Sequence, residues 1–123
     1  MTLASNPTRV LVVDDHTDVA EMLAAVLALH GLEVRTAFED AAALHIAATW
    51  LPHAVLLDIS MPGLGGYELC RRMRQQAQGT PPLMLACTGW DEDEERSNAA
   101  GFDAHLLKPV NPAAVLRLLQ QAR

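Results

Sequence analysis

Four apolar runs in this chain end in polar residues that could do chemistry. Val10–Val13 (VLVV) is followed by Asp14 and Asp15, and Ala54–Leu57 (AVLL) by Asp58. Leu83–Cys87 (LMLAC) is followed by Thr88, and Ala104–Leu107 (AHLL) by Lys108. A carboxylate closing a buried run is costly unless it has a partner or a task. Two carboxylates about 4 Å apart repel by about 4 kcal/mol at an effective dielectric of 20. Three carboxylates gathered with one lysine leave about two negative charges uncompensated, so one acid takes a proton or a divalent cation binds. All-oxygen ligation favours Mg²⁺, which uses a few carboxylates with waters and phosphate. A metal, a lysine and a hydroxyl around one carboxylate suit phosphoryl transfer: the carboxylate attacks, and the cations absorb charge on the equatorial oxygens. A single Asp at a strand end is usually a turn or cap residue. Paired acids, a third acid, a hydroxyl and a Lys-Pro step in this order are much harder to reach by chance.

These residues need elements to bring them together, and the sequence alternates accordingly. Arg9–Val13 is strand-like. Val19, Met22, Leu23, Val26 and Leu27 follow at helical spacing, with Asp18 and Glu21 spaced as a capping box and Gly31 at the C-cap. Glu33–Ala37 is a weak second strand. Asp40 is expected to cap a helix running to about Trp50 and ended by Pro52. Ala54–Leu57 is a third strand. A helix from Gly66 to about Ala77 turns Leu69, Met73 and Cys70 inward. Leu83–Cys87 is a fourth strand. A short helix from about Glu92 to Ala100 opens on a capping-box spacing, Asp91 to Glu94, and ends at Gly101. Ala104–Leu107 is a fifth strand. Asn111 as N-cap and Pro112 at the first helical position open a last helix, with Val115, Leu118 and Leu119 on one face. Five strand–helix repeats predict an α/β fold, a parallel sheet with helices on both faces. Ligands of such sheets bind outside the carboxyl ends of the strands, at the switch point of strand order.

The bulk numbers agree. A chain of 123 residues is enough for one domain, and half of it is apolar and a fifth charged. Folding should bury roughly 65% of the extended chain's surface. The two cysteines, Cys70 and Cys87, read as reduced core residues rather than a disulfide framework. No apolar run reaches the length of a membrane span, and MTLASNPTR lacks the apolar stretch of a signal peptide, so a cytoplasmic protein is expected. A net charge of −6 argues against nucleic acid as a partner and suits a cation.

VLVVDD, LLDISMPGLGGYEL, ACTGW and GFDAHLLKPV resemble the receiver domain of two-component response regulators, from about Arg9 to Leu119. The resemblance implies a flavodoxin-like, doubly wound five-stranded parallel sheet, (βα)5 with strand order 2-1-3-4-5. Residues 1–8 would form a disordered arm and residues 9–123 the receiver. Asp58 would be the phosphoacceptor, charged by the phosphohistidine of a histidine kinase or histidine phosphotransfer protein. Asp14, Asp15 and Asp58 would hold Mg²⁺ (or Mn²⁺), one of the paired acids through water, with the backbone carbonyl of Ser60 as a further ligand. Lys108 would pair with Asp58 and then with the phosphoryl oxygens, and Thr88 would turn its hydroxyl to the phosphoryl group and carry the switch. The bond from Lys108 to Pro109 is usually cis in this family. Pro62 and Gly63 would shape the loop after Asp58. Ser60 and Trp90 would border the phosphoryl group, the Trp90 indole restricting water and lengthening the phosphorylated lifetime.

One position departs from the family pattern. His105 stands where Tyr or Phe is usual, three residues before the lysine. A swinging imidazole would make the output face pH-sensitive; the plainer reading is a half-exposed ring uncoupled from Thr88. Output is expected through a protein-binding surface on the fourth helix, fifth strand and fifth helix. No stretch reads as a DNA-binding region. Two origins fit: a stand-alone receiver, or one detached from a hybrid histidine kinase, of whose receivers TGWDEDEERSNAAGFDAHLLKPV is reminiscent. Such a module assists its own phosphorylation and hydrolysis without turning over other substrates. An aspartate-nucleophile phosphatase would need a second acid two residues past Asp58, where Ser60 stands. A flavodoxin-like cofactor binder would want a Ser/Thr/Gly-rich phosphate loop where DDHTD stands. His16, beside the acidic pair, is read as the start of the first helix, facing solvent. His30, His45 and His53 lack metal-ligand spacing, and Arg71, Arg72 and Arg74 read as ion-paired or solvated.

Overall fold

The computed structural model of the chain describes residues 7–89 and 98–121. In chain order the elements are β1 (Arg9–Val13), α1 (Thr17–Leu29), β2 (Glu33–Ala37), α2 (Asp40–Trp50), β3 (Ala54–Asp58), α3 (Gly66–Gln76) and β4 (Leu83–Thr88). Helical residues 98–100, labelled α4, precede β5 (Ala104–Leu107) and α5 (Pro112–Gln121). All five strands are parallel, in the order β2-β1-β3-β4-β5. This is the doubly wound, flavodoxin-like arrangement, and the order reverses between β1 and β3.

The strand sequences explain their places. β1, β3 and β4 are nearly continuous apolar runs and lie inside, covered on both faces. β2 and β5 are partly exposed and form the edges. Along each inner strand, alternate residues face opposite layers. Leu11, Val13, Val55, Leu57, Met84 and Ala86 pack with Ala43, Leu69, Cys70 and Met73 of α2 and α3. Val10, Val12, Ala54, Leu56, Leu85 and Cys87 pack with Ala20 and Leu27 of α1 and Val115 of α5. Each leucine fully withdrawn from water contributes about 2 kcal/mol. Tyr67 and Phe102 meet edge to face, ring centres 6.3 Å apart at 77°, and tie α3 to the segment before β5.

Three local expectations need correction. Asp18 does not cap α1: the cap position is His16, and Asp18 lies in the first turn. The Asp14 carboxylate accepts the His16 N–H at 2.9 Å, and that turn starts the helix two residues early. The buried face of α1 is carried by Ala20, Leu27 and half-buried Leu23, while Val19 and Met22 are 54% and 70% exposed. Asp40 is the first residue of α2 rather than its cap, and its Oδ2 accepts the Leu64 N–H at 2.7 Å, bracing the loop after β3. By contrast, Asn111 caps α5 as expected, its Oδ1 accepting the Ala113 N–H at 2.9 Å. The expected capping box at Asp91 and Glu94 lies outside the described residues. Thr8, placed in the terminal arm by the sequence, accepts the Glu33 N–H on its carbonyl at 3.0 Å.

Candidate functional site

The ends of β1, β3, β4 and β5 bring the four sets of polar residues to one edge of the sheet. Asp14 follows β1, its N–H donating to the Ala37 carbonyl at 3.1 Å, so the ladder holds it in place. Asp58 is the last residue of β3 and Thr88 the last of β4. Asp14, Asp58 and Thr88 are the buried polar residues among those described, at 8%, 1% and 6% exposure. Lys108 follows β5, its N–H donating to the Thr88 carbonyl at 2.7 Å. The Lys108–Pro109 peptide is cis.

Asp58 has two unlike oxygens. Oδ1 accepts three hydrogen bonds: from Lys108 Nζ at 2.6 Å, Ser60 Oγ at 2.8 Å and Ser60 N at 3.0 Å. Oδ2 is buried with no hydrogen-bond partner. An unsatisfied buried acceptor costs about 1–3 kcal/mol, more when charged. Lys108 Nζ also donates to Ser60 Oγ at 3.3 Å, so Ser60 bridges the ion pair. Beside them Asp14, Asp15, His16 and Asp58 each place a donor atom in a cluster whose members lie within 4.8 Å of one another. Opposite ligands of one small cation at about 2.0–2.2 Å stand about 4.0–4.4 Å apart, so a shift of a few tenths of an ångström would close the cluster on an ion.

Burial and charge pull the acids apart. Burial alone would raise the Asp58 pKa; the Lys108 ammonium and the two Ser60 donors outweigh it and hold the carboxyl below its ordinary value. Asp14 goes the other way, raised by burial and by the Asp58 charge against the downward pull of two His16 hydrogen bonds. His16 is raised in turn by its bond to Asp14 and by the charges of Asp15 and Asp14.

The structure thus gathers Asp14, Asp15, Asp58, Ser60, Thr88 and Lys108. Trp90 lies outside the described residues. His105 sits on β5, half-buried, with its Nε2 in a buried position and no hydrogen-bond partner. Two features escaped the sequence. The Ser60 side chain, and not only its backbone, engages Asp58. His16 does start α1 and is 67% exposed, yet its Nδ1 lies 3.1 Å from Asp14 Oδ1 and 3.3 Å from Asp15 Oδ1. A polar residue next to an acidic pair was the available signal. The loop between Asp58 and α3 closes tightly: a Cβ on Gly66 would stand 2.6 Å from the Ile59 Cα, so only glycine fits there.

Residues 10–120 match the family model for the response regulator receiver domain. A protein of Leptolyngbya boryana, named only as an uncharacterized 14.6 kDa protein in the sodA1 3′ region, is 35% identical over 114 residues, or 91% of this chain and 87% of that one. Response regulator MprA of Mycobacterium sp. (strain KMS) is 38% identical over 103 residues, 84% of this chain. The chain spans about half of that relative's length, 45% of it being matched. A crystal structure of a CheY-like response regulator receiver domain protein from Methanospirillum hungatei JF-1 superposes with a TM-score of 0.85 at 28% identity, covering 95% of this chain and 94% of that one.

Proposed function

The chain belongs to the response regulator receiver domain family of two-component signalling, and on that footing we propose that Asp58 is its phosphoacceptor. The observation that carries this reading is the asymmetry of the Asp58 carboxylate, with one oxygen saturated by three donors and the other buried and unpartnered. Oδ2 is the oxygen with a lone pair to give. It attacks phosphorus, the new P–O bond forms, and the P–N bond to a donor phosphohistidine breaks with its electron pair leaving on the imidazole nitrogen. The donor is a histidine kinase or a histidine phosphotransfer protein.

Asp14, Asp15, Asp58 and the Ser60 carbonyl would hold Mg²⁺ (or Mn²⁺), which when bound draws charge from the phosphoryl oxygens. Lys108 already reaches Asp58 and moves onto a phosphoryl oxygen once the acyl phosphate forms. Thr88, at the end of the neighbouring strand, turns its hydroxyl to another phosphoryl oxygen. The backbone bond from Lys108 to Thr88 couples these two ends. The resulting shift is read by a protein partner on α4, β5 and α5, where Leu107 is 57% exposed. His105 lies on that same surface. The module acts as a switch in the cytoplasm, stand-alone or as part of a hybrid kinase. No helix among the described residues is long and apolar enough to cross a membrane.

The test is intact mass after incubation with Mg²⁺ and acetyl phosphate. One added phosphoryl group is expected, and none in Asp58→Asn or without Mg²⁺. No adduct, together with no binding of beryllofluoride, would defeat the reading.

A further inference from the structure

The His16 side chain is 67% exposed, yet its ring nitrogen Nδ1 is turned toward the acidic pair rather than away from it. Its backbone N–H donates to Asp14 Oδ1, and this turn folds the imidazole back over the acidic pair. Donors bound to one octahedral ion at about 2.1 Å stand about 3.0 Å apart when adjacent and about 4.2 Å apart when opposite. His16 Nδ1 lies 3.1 Å and 3.3 Å from the Asp14 and Asp15 oxygens, the spacing of adjacent ligands. The fourth member of the cluster, Asp58, has a side chain 1% exposed, and its Oδ2 has no hydrogen-bond partner. Oδ2 has two lone pairs, so the one that attacks phosphorus leaves another for a cation, and its lack of any hydrogen-bond partner is a separate sign that the cluster takes a ligand.

We propose that His16 is a nitrogen ligand of this metal site, through Nδ1, and shifts its preference from Mg²⁺ toward borderline divalent ions such as Co²⁺ and Zn²⁺. The inference rests on the reading of the acidic pocket as a metal site. Mg²⁺ gains little from imidazole, whereas affinity for Co²⁺ and Zn²⁺ rises when a nitrogen joins the oxygens. With the Ser60 carbonyl, Asp14, Asp15, Asp58 and His16 would fill five of six octahedral positions and leave one for water or a phosphoryl oxygen. The same geometry has a rival use, in which a protonated ring is merely a counter-ion that any metal must displace. The two uses predict opposite results on removing the ring.

The 123-residue chain, His16→Ala and His16→Asn are titrated with Co²⁺ alone and Mg²⁺ alone by calorimetry, with circular dichroism as the folding check. His16→Asn keeps a good helix cap. Pulsed EPR of bound Mn²⁺ looks for nitrogen coupling. The expected result is a loss of Co²⁺ affinity of about tenfold or more in both variants. Mg²⁺ affinity should change by less than about threefold, and the nitrogen coupling should be present only in the wild type. Unchanged Co²⁺ affinity, or a gain in affinity for both ions, would overturn the proposal. Asp58→Asn separates the two failures. Ions that bind the wild type, weaken in Asp58→Asn and ignore His16 leave the metal pocket standing and remove only His16. A wild type that binds neither ion overturns both.

Discussion

Asp14 and Asp58 are buried carboxylates on one edge of one sheet, yet their surroundings push their protonation in opposite directions. Asp58 is held below its ordinary value, so its pairing favours the fold above the unfolded pKa and is lost as pH falls through the lowered folded value. Asp14 is raised, so its contribution is present below the unfolded pKa and is lost as pH rises through the raised folded value. At neutral pH, without metal, Asp14 works against folding. Asp14→Asn is therefore expected to raise the melting temperature in EDTA, by about 3–6 °C for each kcal/mol regained. The same variant should lose most of the increase that Mg²⁺ gives the wild type. Paired thermal melts check both signs, and a lower melting temperature in EDTA would refute the argument. Lys108→Met removes the ammonium from a carboxylate that cannot reach water. Stability should drop by about 2–4 kcal/mol in urea titrations, near the range for breaking buried pairs and softened because Ser60 still donates. The acids, Thr88 and Lys108 were legible because each closes an apolar run whose length marks a strand. The Ser60 hydroxyl and the His16 ring were not, because their contacts depend on side-chain rotamers in turns, which no periodicity encodes.

Among the elements, the loop from Asp58 to α3 has the most exacting construction. Gly66 packs against Ile59 and so closes the loop's end onto its start, while the Asp40 carboxylate holds Leu64 just before α3. Gly66→Ala should cost about 1–3 kcal/mol, as overpacking against backbone does. It should also slow phosphorylation by acetyl phosphate, since the displaced residue follows the acceptor strand. Asn111→Ala should cost about 1 kcal/mol by unmaking the α5 cap and leave that rate unchanged, because the Asn111 side chain is engaged by the Ala113 N–H. Chemical denaturation beside a phosphorylation time course distinguishes a loop effect from general loss of stability. Element types and most boundaries could be read from apolar spacing. The starts of α1 and α2 could not, because Asp14 and Asp40 spend their side chains outside the usual capping positions. The α1 face was misjudged because Val19 and Met22 fit a helical period while small Ala20 takes the buried place.

For the whole molecule, the decisive fact is that one sheet separates two apolar layers, each with its own cysteine. Cys70 belongs to the α2–α3 layer and Cys87 to the α1–α5 layer. Burial pushes both thiols up to about 12. Both should resist alkylation near neutral pH in the native protein and react at once in denaturant. Equal protection would show the layers opening together, and faster labelling of one would show that it opens alone. A raised thiol pKa contributes stability below the unfolded value and loses it as pH rises through the folded one, so alkaline unfolding should set in earlier than in a variant with both cysteines replaced by alanine or valine of similar stability. The alternation of strand and helix disclosed this layering from sequence, since only a sheet covered on both faces accommodates three inner strands without a polar side. The strand order also bears on the growing chain. β1 and β3 are neighbours, so the three carboxylates can meet once Asp58 has emerged from the ribosome, while the ammonium that bonds Asp58 emerges 50 residues later. During that interval any sheet formed by the emerged strands would hold its acids without their built-in cation, and ions dissolved around the ribosome would be the partners available to them.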